Sequence, residues 1–206
     1  MLYHILYPMA DQFAVLNVFR YLTFRTGGAI ITALIISFLF GPPLINALKK
    51  HQSFGQPIRD DGPEGHLLTK KGTPTMGGFL ILLALSLATL LWADLTNVYI
   101  WAGMGVTISY GTIGFLDDYL KVIRRDSKGL SAKLKFLLQA AVALVATVSI
   151  MHQLPQALTS TLAVPFLKNV LLDLGWAFVL FAAVVMVGSS NAVNLTDGLD
   201  GLAVVP

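Results

Sequence analysis

The chain has 206 residues, of which 55% are hydrophobic and 12% are charged, and its mean hydropathy is +0.72. Soluble domains carry about 25% charged residues, so this composition excludes an ordinary soluble globular protein. Cysteine is absent, which excludes disulfides, a thiolate nucleophile and cysteine-ligated metal sites. The net charge of +3 is small, and we predict no nucleic-acid partner.

Five charge-free runs are each long enough to cross a bilayer. They cover residues 26–48, 72–93, 95–116, 136–167 and 174–196. A spanning helix needs about 20 predominantly apolar residues, so we predict an all-α, polytopic membrane protein with five spanning helices. In the fourth run, Pro155 and its polar neighbours predict that the helix ends near Met151. The short link between the second and third runs predicts an antiparallel hairpin.

Two local features qualify these runs. Gly41, Pro42 and Pro43 lie inside the first run, and proline removes a backbone donor, so we expect a kink or a helix end there. The second run opens with GTPTMGG, where proline and glycine predict a loop that leads into a helix N-terminus.

The basic residues lie mainly on one side of these runs. Eleven of the 14 Lys and Arg residues lie between the first and second runs or between the third and fourth. The positive-inside rule makes those loops cytoplasmic and places the N-terminus in the periplasm. Arg20 and Arg25 favour the opposite orientation, but they are outnumbered. The residues from Asn191 onward are then cytoplasmic as well.

Two adjacent carboxylates, Asp117 and Asp118, directly follow the third run. Carboxylates at a membrane edge are costly to desolvate and tend to mark function. Mg²⁺ prefers oxygen ligands such as carboxylates and substrate phosphates, and Lys121 lies one helical turn after Asp117. This combination fits metal-assisted phosphoryl transfer. Alternatively, the two aspartates are the polar end of a span beside anchoring basic residues.

Polar residues recur every three positions at the end of the fifth run and just beyond it. They are Asn191, Asn194, Asp197 and Asp200. On a helix this spacing forms one polar stripe, whose amides and carboxylates can bind a nucleobase, a ribose or a sugar. Gly198 and Gly201 permit a ligand to approach the backbone closely. The alternative is a helix C-terminus with glycine caps, although acidic residues are unfavourable there.

The long polar loop before the second run is a candidate phosphate-binding element. Lys70 and Lys71 precede a helix start rich in threonine and glycine, and helix N-termini attract phosphate. The loop is not a Walker A motif. His66 is either a candidate base or an ordinary surface residue. The basic stretch from Lys121 to Lys135 predicts contact with membrane-lipid headgroups.

Three segments together resemble the phospho-N-acetylmuramoyl-pentapeptide transferase family, within the polyprenyl-phosphate N-acetylhexosamine-1-phosphate transferases. They read FGQPIRDDGPEGHLLTKKGTPTMGG, GFLDDYLK and NAVNLTDGLDGLA. The resemblance implies a magnesium-dependent, multi-pass enzyme of the bacterial inner membrane, with about ten spanning helices and an active site that faces the cytoplasm. Such an enzyme moves phospho-MurNAc-pentapeptide from UDP-MurNAc-pentapeptide to undecaprenyl phosphate, which gives lipid I and UMP.

The resemblance also assigns residues. Asp117 and Asp118 match the catalytic acidic pair and are candidate metal ligands. The residues that match substrate-binding positions are Lys70, Thr75, Lys121, Lys133, Asn194, Asp197, Gly198, Leu199 and Asp200. The family has a further aspartate and a histidine-rich loop in a C-terminal part beyond these 206 residues. We therefore expect a single integral membrane domain, residues 1–206, that is a fragment without the C-terminal helices. The family further suggests a homodimer.

Two other functions stay open at this point. A sister transferase that uses UDP-GlcNAc is the alternative within the enzyme class, although the long loop before GTPTMGG favours the muramoyl-pentapeptide branch. A membrane transporter is a different class, and it predicts charges within spans and broken helices near the midplane. Here the charges lie at the edges of the apolar runs.

Overall fold

Helices dominate the computed structural model, which describes residues 1–52, 74–125, 129–167 and 170–196. The helices are α1 (Leu2–Leu6), α2 (Leu22–His51), α3 (Gly78–Trp92), α4 (Val98–Arg124), α5 (Ala132–Met151) and α6 (Ala177–Thr196). Three 3₁₀ helices cover Tyr7–Asp11, Ala14–Arg20 and Gln156–Leu158, and two strands cover Thr161–Ala163 (β1) and Leu171–Asp173 (β2). The chain divides into two compact units, and the second begins at Ala132.

Helices α2 to α6 coincide with the five apolar runs. Within the described residues, α2, α5 and α6 are long and apolar enough to cross a membrane, whereas α3 has only 15 residues. Helix α3 is shorter than its run because Pro74 and Gly77 keep the first residues out of the helix. A mostly helical membrane protein with three candidate spans is therefore confirmed, and the count of five stays a prediction.

Helices α3 and α4 form the antiparallel hairpin that their short link predicts. The ring of Phe79, at the start of α3, lies 6.4 Å from the ring of Phe115 in the second half of α4. A little further along, Leu82 fills the space beside Gly111, where a β-carbon would overlap the leucine side chain. Asn97 begins α4 as an N-cap, since its side chain accepts a hydrogen bond from the amide of Tyr99.

Helix α2 packs against α3 and continues through Gly41, Pro42 and Pro43. The predicted helix end is therefore absent, and a kink at this point stays a prediction. Gly41 is buried, and Leu80 of α3 lies 3.7 Å from the position of a β-carbon there. This packing stabilises the helix although two backbone donors are missing.

The opposite end of α2 is fixed by aromatic packing on the last residue of α3. The indole nitrogen of Trp92 donates a 2.9 Å hydrogen bond to the hydroxyl of Thr32, and its rings stack on Phe19 and pack edge-on with Phe24. Because α2 is antiparallel to α3, and α3 to α4, the C-terminus of α2, the N-terminus of α3 and the C-terminus of α4 lie at one end of the first unit.

In the second unit, α5 ends at Met151 as predicted and packs on α6 through polar side chains. The amide of Asn191 donates a 2.8 Å hydrogen bond to Oε1 of the buried Gln139. The segment between the two helices contains an antiparallel pair of strands in which Thr161 lies opposite Asp173.

Candidate active site

The three helix ends at one side of the first unit bring five polar side chains into one hydrogen-bonded cluster: Gln52, Thr75, Asp117, Asp118 and Lys121. Gln52 follows α2, Thr75 precedes α3, and the two aspartates and the lysine belong to the last turns of α4. Sequence analysis predicted four of these residues. Gln52 was missed because no spacing or motif distinguishes it in a polar stretch.

Lys121 forms ion pairs with both aspartates. Its Nζ lies 2.8 Å from Oδ2 of Asp117 and 3.0 Å from Oδ1 of Asp118. The spacing of three and four residues places all three groups on one helical face, as predicted. Two neighbouring carboxylates repel each other, and the ammonium group between them offsets this repulsion.

The pKa of Lys121, which lies beyond the apolar run 95–116, reflects two opposing effects. Burial favours the neutral amine and lowers the pKa, but hydrogen bonds and charge attraction from Asp117 and Asp118 outweigh burial. The pKa is therefore raised above its ordinary value. Lys121 consequently carries a full positive charge at neutral pH.

Asp117 is the more enclosed carboxylate of the pair and anchors the chain that follows α4. Its Oδ1 accepts a 2.8 Å hydrogen bond from the backbone amide of Leu130. The preceding Gly129 has a φ of +57°, and a β-carbon at this glycine would overlap the Asp117 carboxylate. The site thus requires glycine at position 129, both for its left-handed backbone and for the close approach of the aspartate.

Asp118 connects α4 to the segment before α3. The hydroxyl of the buried Thr75 donates a 2.8 Å hydrogen bond to Oδ2 of Asp118. Thr75 is in turn held by Gln52, whose Oε1 accepts from the Thr75 amide at 2.9 Å and whose Nε2 donates to the Thr75 carbonyl at 3.3 Å. Gln52 itself is buried.

The carboxylate pair has the donor chemistry that suits Mg²⁺ together with a diphosphate. Each of the four carboxylate oxygens accepts at least one hydrogen bond or ion pair, and the partners include Thr75, Lys121 and Leu130. Carboxylate oxygens are hard ligands, and Mg²⁺ often takes only one or two carboxylates plus phosphate oxygens. The described ranges contain no group of three or more His, Cys, Asp or Glu residues that would hold a metal alone.

The other predicted site residues belong to the second unit or fall outside the described residues. Lys133, near the start of α5, and Asn194, in the last turn of α6, are both exposed side chains of the second unit. The residue spacing predicts that Asn191 belongs to a polar stripe that is open to a ligand. In the structure its side-chain amide instead donates hydrogen bonds to Gln139 and to the carbonyl of Val187. Outside the described residues lie His66, Lys70, Lys71, Asp197, Gly198, Leu199, Asp200 and Gly201.

Comparisons with known proteins bear on this cluster directly. Residues 100–206 match the model of glycosyl transferase family 4, and residues 70–82 match phospho-N-acetylmuramoyl-pentapeptide-transferase signature 1. Two curated relatives carry the name phospho-N-acetylmuramoyl-pentapeptide-transferase. The protein from Granulibacter bethesdensis is 58% identical over 206 residues, and that from Maricaulis maris is 51% identical over 211 residues. All of this chain is covered, and it spans 57% and 58% of the relatives' lengths.

Proposed function

The chain belongs to glycosyl transferase family 4, and we propose that the protein transfers phospho-MurNAc-pentapeptide from UDP-MurNAc-pentapeptide to undecaprenyl phosphate, which yields lipid I and UMP. One observation carries this proposal. The signature at residues 70–82 includes Thr75, whose hydroxyl donates to Asp118 of the carboxylate pair. The segment that the chain shares with the named transferases is therefore part of the same cluster as the acidic residues suited to phosphoryl transfer.

The proposed reaction is a direct displacement at phosphorus. An oxygen of undecaprenyl phosphate forms a bond to the β-phosphorus of the UDP-sugar, the bond from that phosphorus to the bridging oxygen breaks, and UMP leaves. Lys121, with its raised pKa, offsets the negative charge that develops on the phosphoryl oxygens, and Lys70 has the same role.

The two carboxylates have different proposed roles. Asp117 is the base toward the lipid phosphate, although that phosphate is already mostly ionised at pH 7. Asp118 is the more open of the two, with 31% of its side chain exposed against 10% for Asp117, which favours Asp118 as the principal metal ligand. Bound Mg²⁺ would neutralise charge on the diphosphate. A covalent phospho-aspartyl route is the alternative, and a trapped acid-stable or hydroxylamine-sensitive species in rapid quench would favour it.

We place the cluster on the cytoplasmic side of the bacterial inner membrane, with five spans in this chain and the N-terminus in the periplasm. Lys49, Lys50 and Arg124 lie at the same end of the first unit as the cluster, in agreement with the positive-inside rule. The N-terminal amino group is at the opposite end, where it donates to the carbonyl of Leu90.

Single-cysteine variants of the whole protein can test this orientation, with any cysteine outside these 206 residues, which contain none, first replaced by serine. In intact cells, a membrane-impermeant maleimide is expected to label Gln12→Cys and to spare Arg125→Cys. The reverse labelling pattern would contradict the proposed topology.

The remaining substrate contacts are proposed from matching family positions. The uridine and the sugar diphosphate would be held by Asn194, Asp197, Gly198, Leu199 and Asp200. Lys133 would be a basic substrate-binding residue of the cytoplasmic cleft. Membrane lipids surround the apolar helices, and a homodimer is the proposed assembly.

Turnover by the full-length protein in detergent tests the proposed function. Undecaprenyl phosphate and Mg²⁺ are supplied with either UDP-MurNAc-pentapeptide or UDP-GlcNAc, and both lipid product and released nucleotide are measured. We expect lipid I and UMP with the muramoyl substrate and no product with UDP-GlcNAc. Turnover of UDP-GlcNAc alone would identify the sister transferase instead, and release of UDP would exclude transfer of a phosphosugar.

A further inference from the structure

The side chain of Gln52 binds the backbone of Thr75 through both its oxygen and its nitrogen. Its side-chain carbonyl accepts from the amide of Thr75, and its side-chain amine donates to the carbonyl of the same residue. The amine also lies 3.6 Å from the sulfur of Met76. These contacts join residues 23 positions apart, so one side chain fixes the position of the end of α2 relative to the two residues Thr75 and Met76, which precede α3.

The buried environment makes this contact strong. Gln52 and Thr75 are each only 8% exposed, and a buried polar group that loses its partner costs about 1–3 kcal/mol. Met76, next to Thr75, has a φ of +74°, a conformation that non-glycine residues rarely adopt. The surrounding contacts must hold the backbone in this state, and the hydrogen bonds from Gln52 to the adjacent Thr75 backbone are among them.

The contact with Gln52 affects the site because it determines the direction of the Thr75 hydroxyl. With its backbone fixed on both sides, Thr75 directs its hydroxyl hydrogen to Oδ2 of Asp118. Asp118 therefore has one oxygen held by Thr75 and the other by Lys121. A small rotation of Thr75 would release the first of these oxygens and change the orientation of the carboxylate.

We propose that Gln52 is a positioning residue for the transfer reaction, which acts by holding Thr75 so that the threonine hydroxyl orients Asp118. The proposal rests on the proposed function for its kinetic test. The hydrogen bonds of Gln52 in the described part of the chain go to Thr75 and Met76, so we argue that its effect passes through Thr75. Only glutamine supplies both a donor and an acceptor at this reach, since glutamate lacks the donor and asparagine is one methylene shorter.

The first test is kinetic and uses the full-length protein. Misplacement of a catalytic group by about 1 Å can cost about a hundredfold in rate, so Gln52→Met is expected to lower kcat by about tenfold to a hundredfold. We expect KM for UDP-MurNAc-pentapeptide to change by less than about threefold, because Gln52 is a positioning residue and not a substrate contact. Gln12→Met is the matched control at an exposed position, with wild-type kcat expected.

A double-mutant cycle separates this role from a general structural one. Thr75→Val removes the hydroxyl but keeps the backbone groups that Gln52 binds. If Gln52 acts through that hydroxyl, adding Gln52→Met to Thr75→Val lowers kcat little further, whereas Thr75→Ser keeps the full response to Gln52→Met. Additive losses in the cycle, or a wild-type kcat in Gln52→Met, would overturn the proposal.

A third measurement does not depend on turnover. In hydrogen–deuterium exchange, the Thr75 amide is expected to exchange faster in Gln52→Met than in the wild type, and to stay protected in Thr75→Val.

If Gln52→Met does not fold, the near-isosteric Gln52→Glu replaces it: a kcat at least about fivefold below wild type in the folded protein supports the proposal, and a wild-type kcat overturns it. If the wild type itself makes no lipid I, the proposed function fails, while unchanged exchange at Thr75 refutes the Gln52 contact by itself.

Discussion

The hydroxyl of Thr75 donates a 2.8 Å hydrogen bond to the carboxylate of Asp118, across 43 positions of sequence. This bond joins the segment that leads into α3 to the C-terminal end of α4. Because Lys121 binds the other oxygen of Asp118, side chains of the protein itself hold the carboxylate in one orientation. Preorganised charge of this kind is what phosphoryl transfer requires from a protein.

Replacement of Lys121 is expected to affect both stability and catalysis. Lys121→Met removes the cation shared by Asp117 and Asp118 and leaves two partly buried carboxylates side by side. Loss of one partner of a fully buried pair costs 3–5 kcal/mol, and partial exposure reduces this to about 1–3 kcal/mol. Urea unfolding in detergent measures the change in the free energy of unfolding, and the activity assay should show a loss of at least about tenfold in kcat.

Lys49→Met is the matched control for this loss of charge, because Lys49 lies exposed at the end of α2 on the same side of the unit. We expect its unfolding free energy to stay within about 0.5 kcal/mol of wild type. Equal destabilisation by both substitutions would show that the contacts of Lys121 with the carboxylates contribute nothing specific.

The pH dependence of Lys121 follows from its raised pKa. A group whose pKa is higher in the folded than in the unfolded state stabilises the fold fully below the unfolded pKa, and this contribution disappears as pH rises through the folded pKa. For Lys121 the unfolded value is 10.5. We therefore expect the stability difference between wild type and Lys121→Met to be independent of Lys121 titration from pH 6 to about pH 9. A loss of that difference between pH 7 and 9 would contradict the ion-pair geometry.

Gly129 is expected to tolerate no side chain. Gly129→Ala forces a left-handed backbone on alanine, which costs about 1–2 kcal/mol, and its β-carbon would overlap the carboxylate of Asp117. Both the free energy of unfolding and kcat should fall, because Asp117 must move. Gly105→Ala in α4 is the control, since the described residues beyond its own helix backbone and chain neighbours bring no atom within 4 Å of its β-carbon position, and alanine in a helix gains about 1 kcal/mol over glycine.

Substitution of Asp117 and of Asp118 is expected to lower the free energy of unfolding by different amounts, whereas both substitutions should lower activity strongly. Asp117→Asn weakens an ion pair and a charged hydrogen bond to Leu130 in an enclosed position, and should lower the free energy of unfolding by about 1–3 kcal/mol. Asp118→Asn, which is more open, should cost less than about 1 kcal/mol. Each should lower kcat by at least about a hundredfold. A variant with wild-type kcat would exclude that aspartate from the reaction.

Local patterns in the sequence predict most of the helices and part of the cluster. Apolar run length predicts α2 to α6 because hydropathy is a local property, and the spacing of Asp117 and Lys121 predicts their ion pair from helical geometry alone. The contact between Gln52 and Thr75 has no such signal, since it depends on how α2 packs against α3. The same packing explains why α2 continues through Pro42 and Pro43, where the local rule predicts an end or a kink.

The contact between Asn191 and Gln139 shows the same limit in the second unit. The three-residue spacing after residue 191 predicts a polar stripe, but it does not predict that a glutamine 52 positions earlier accepts the first amide. Long-range side-chain pairs follow from tertiary packing, which the local period of a helix does not encode. Asn194 is exposed, whereas Asn191 is only partly exposed, so the two asparagines of the stripe are in different environments.

This difference gives a prediction for the second unit. Asn191→Leu removes the donor to Gln139, and interhelical hydrogen bonds of this kind contribute about 0.6–1.7 kcal/mol in membrane helices. We expect the free energy of unfolding in detergent to fall by about this amount, whereas Asn194→Leu changes it by less than about 0.5 kcal/mol. In the double variant Gln139→Leu/Asn191→Leu, the loss should be smaller than the sum of the two single losses, because the second substitution removes a group whose partner is already gone. Full additivity would mean that the two side chains contribute independently and that their hydrogen bond does not hold α5 to α6.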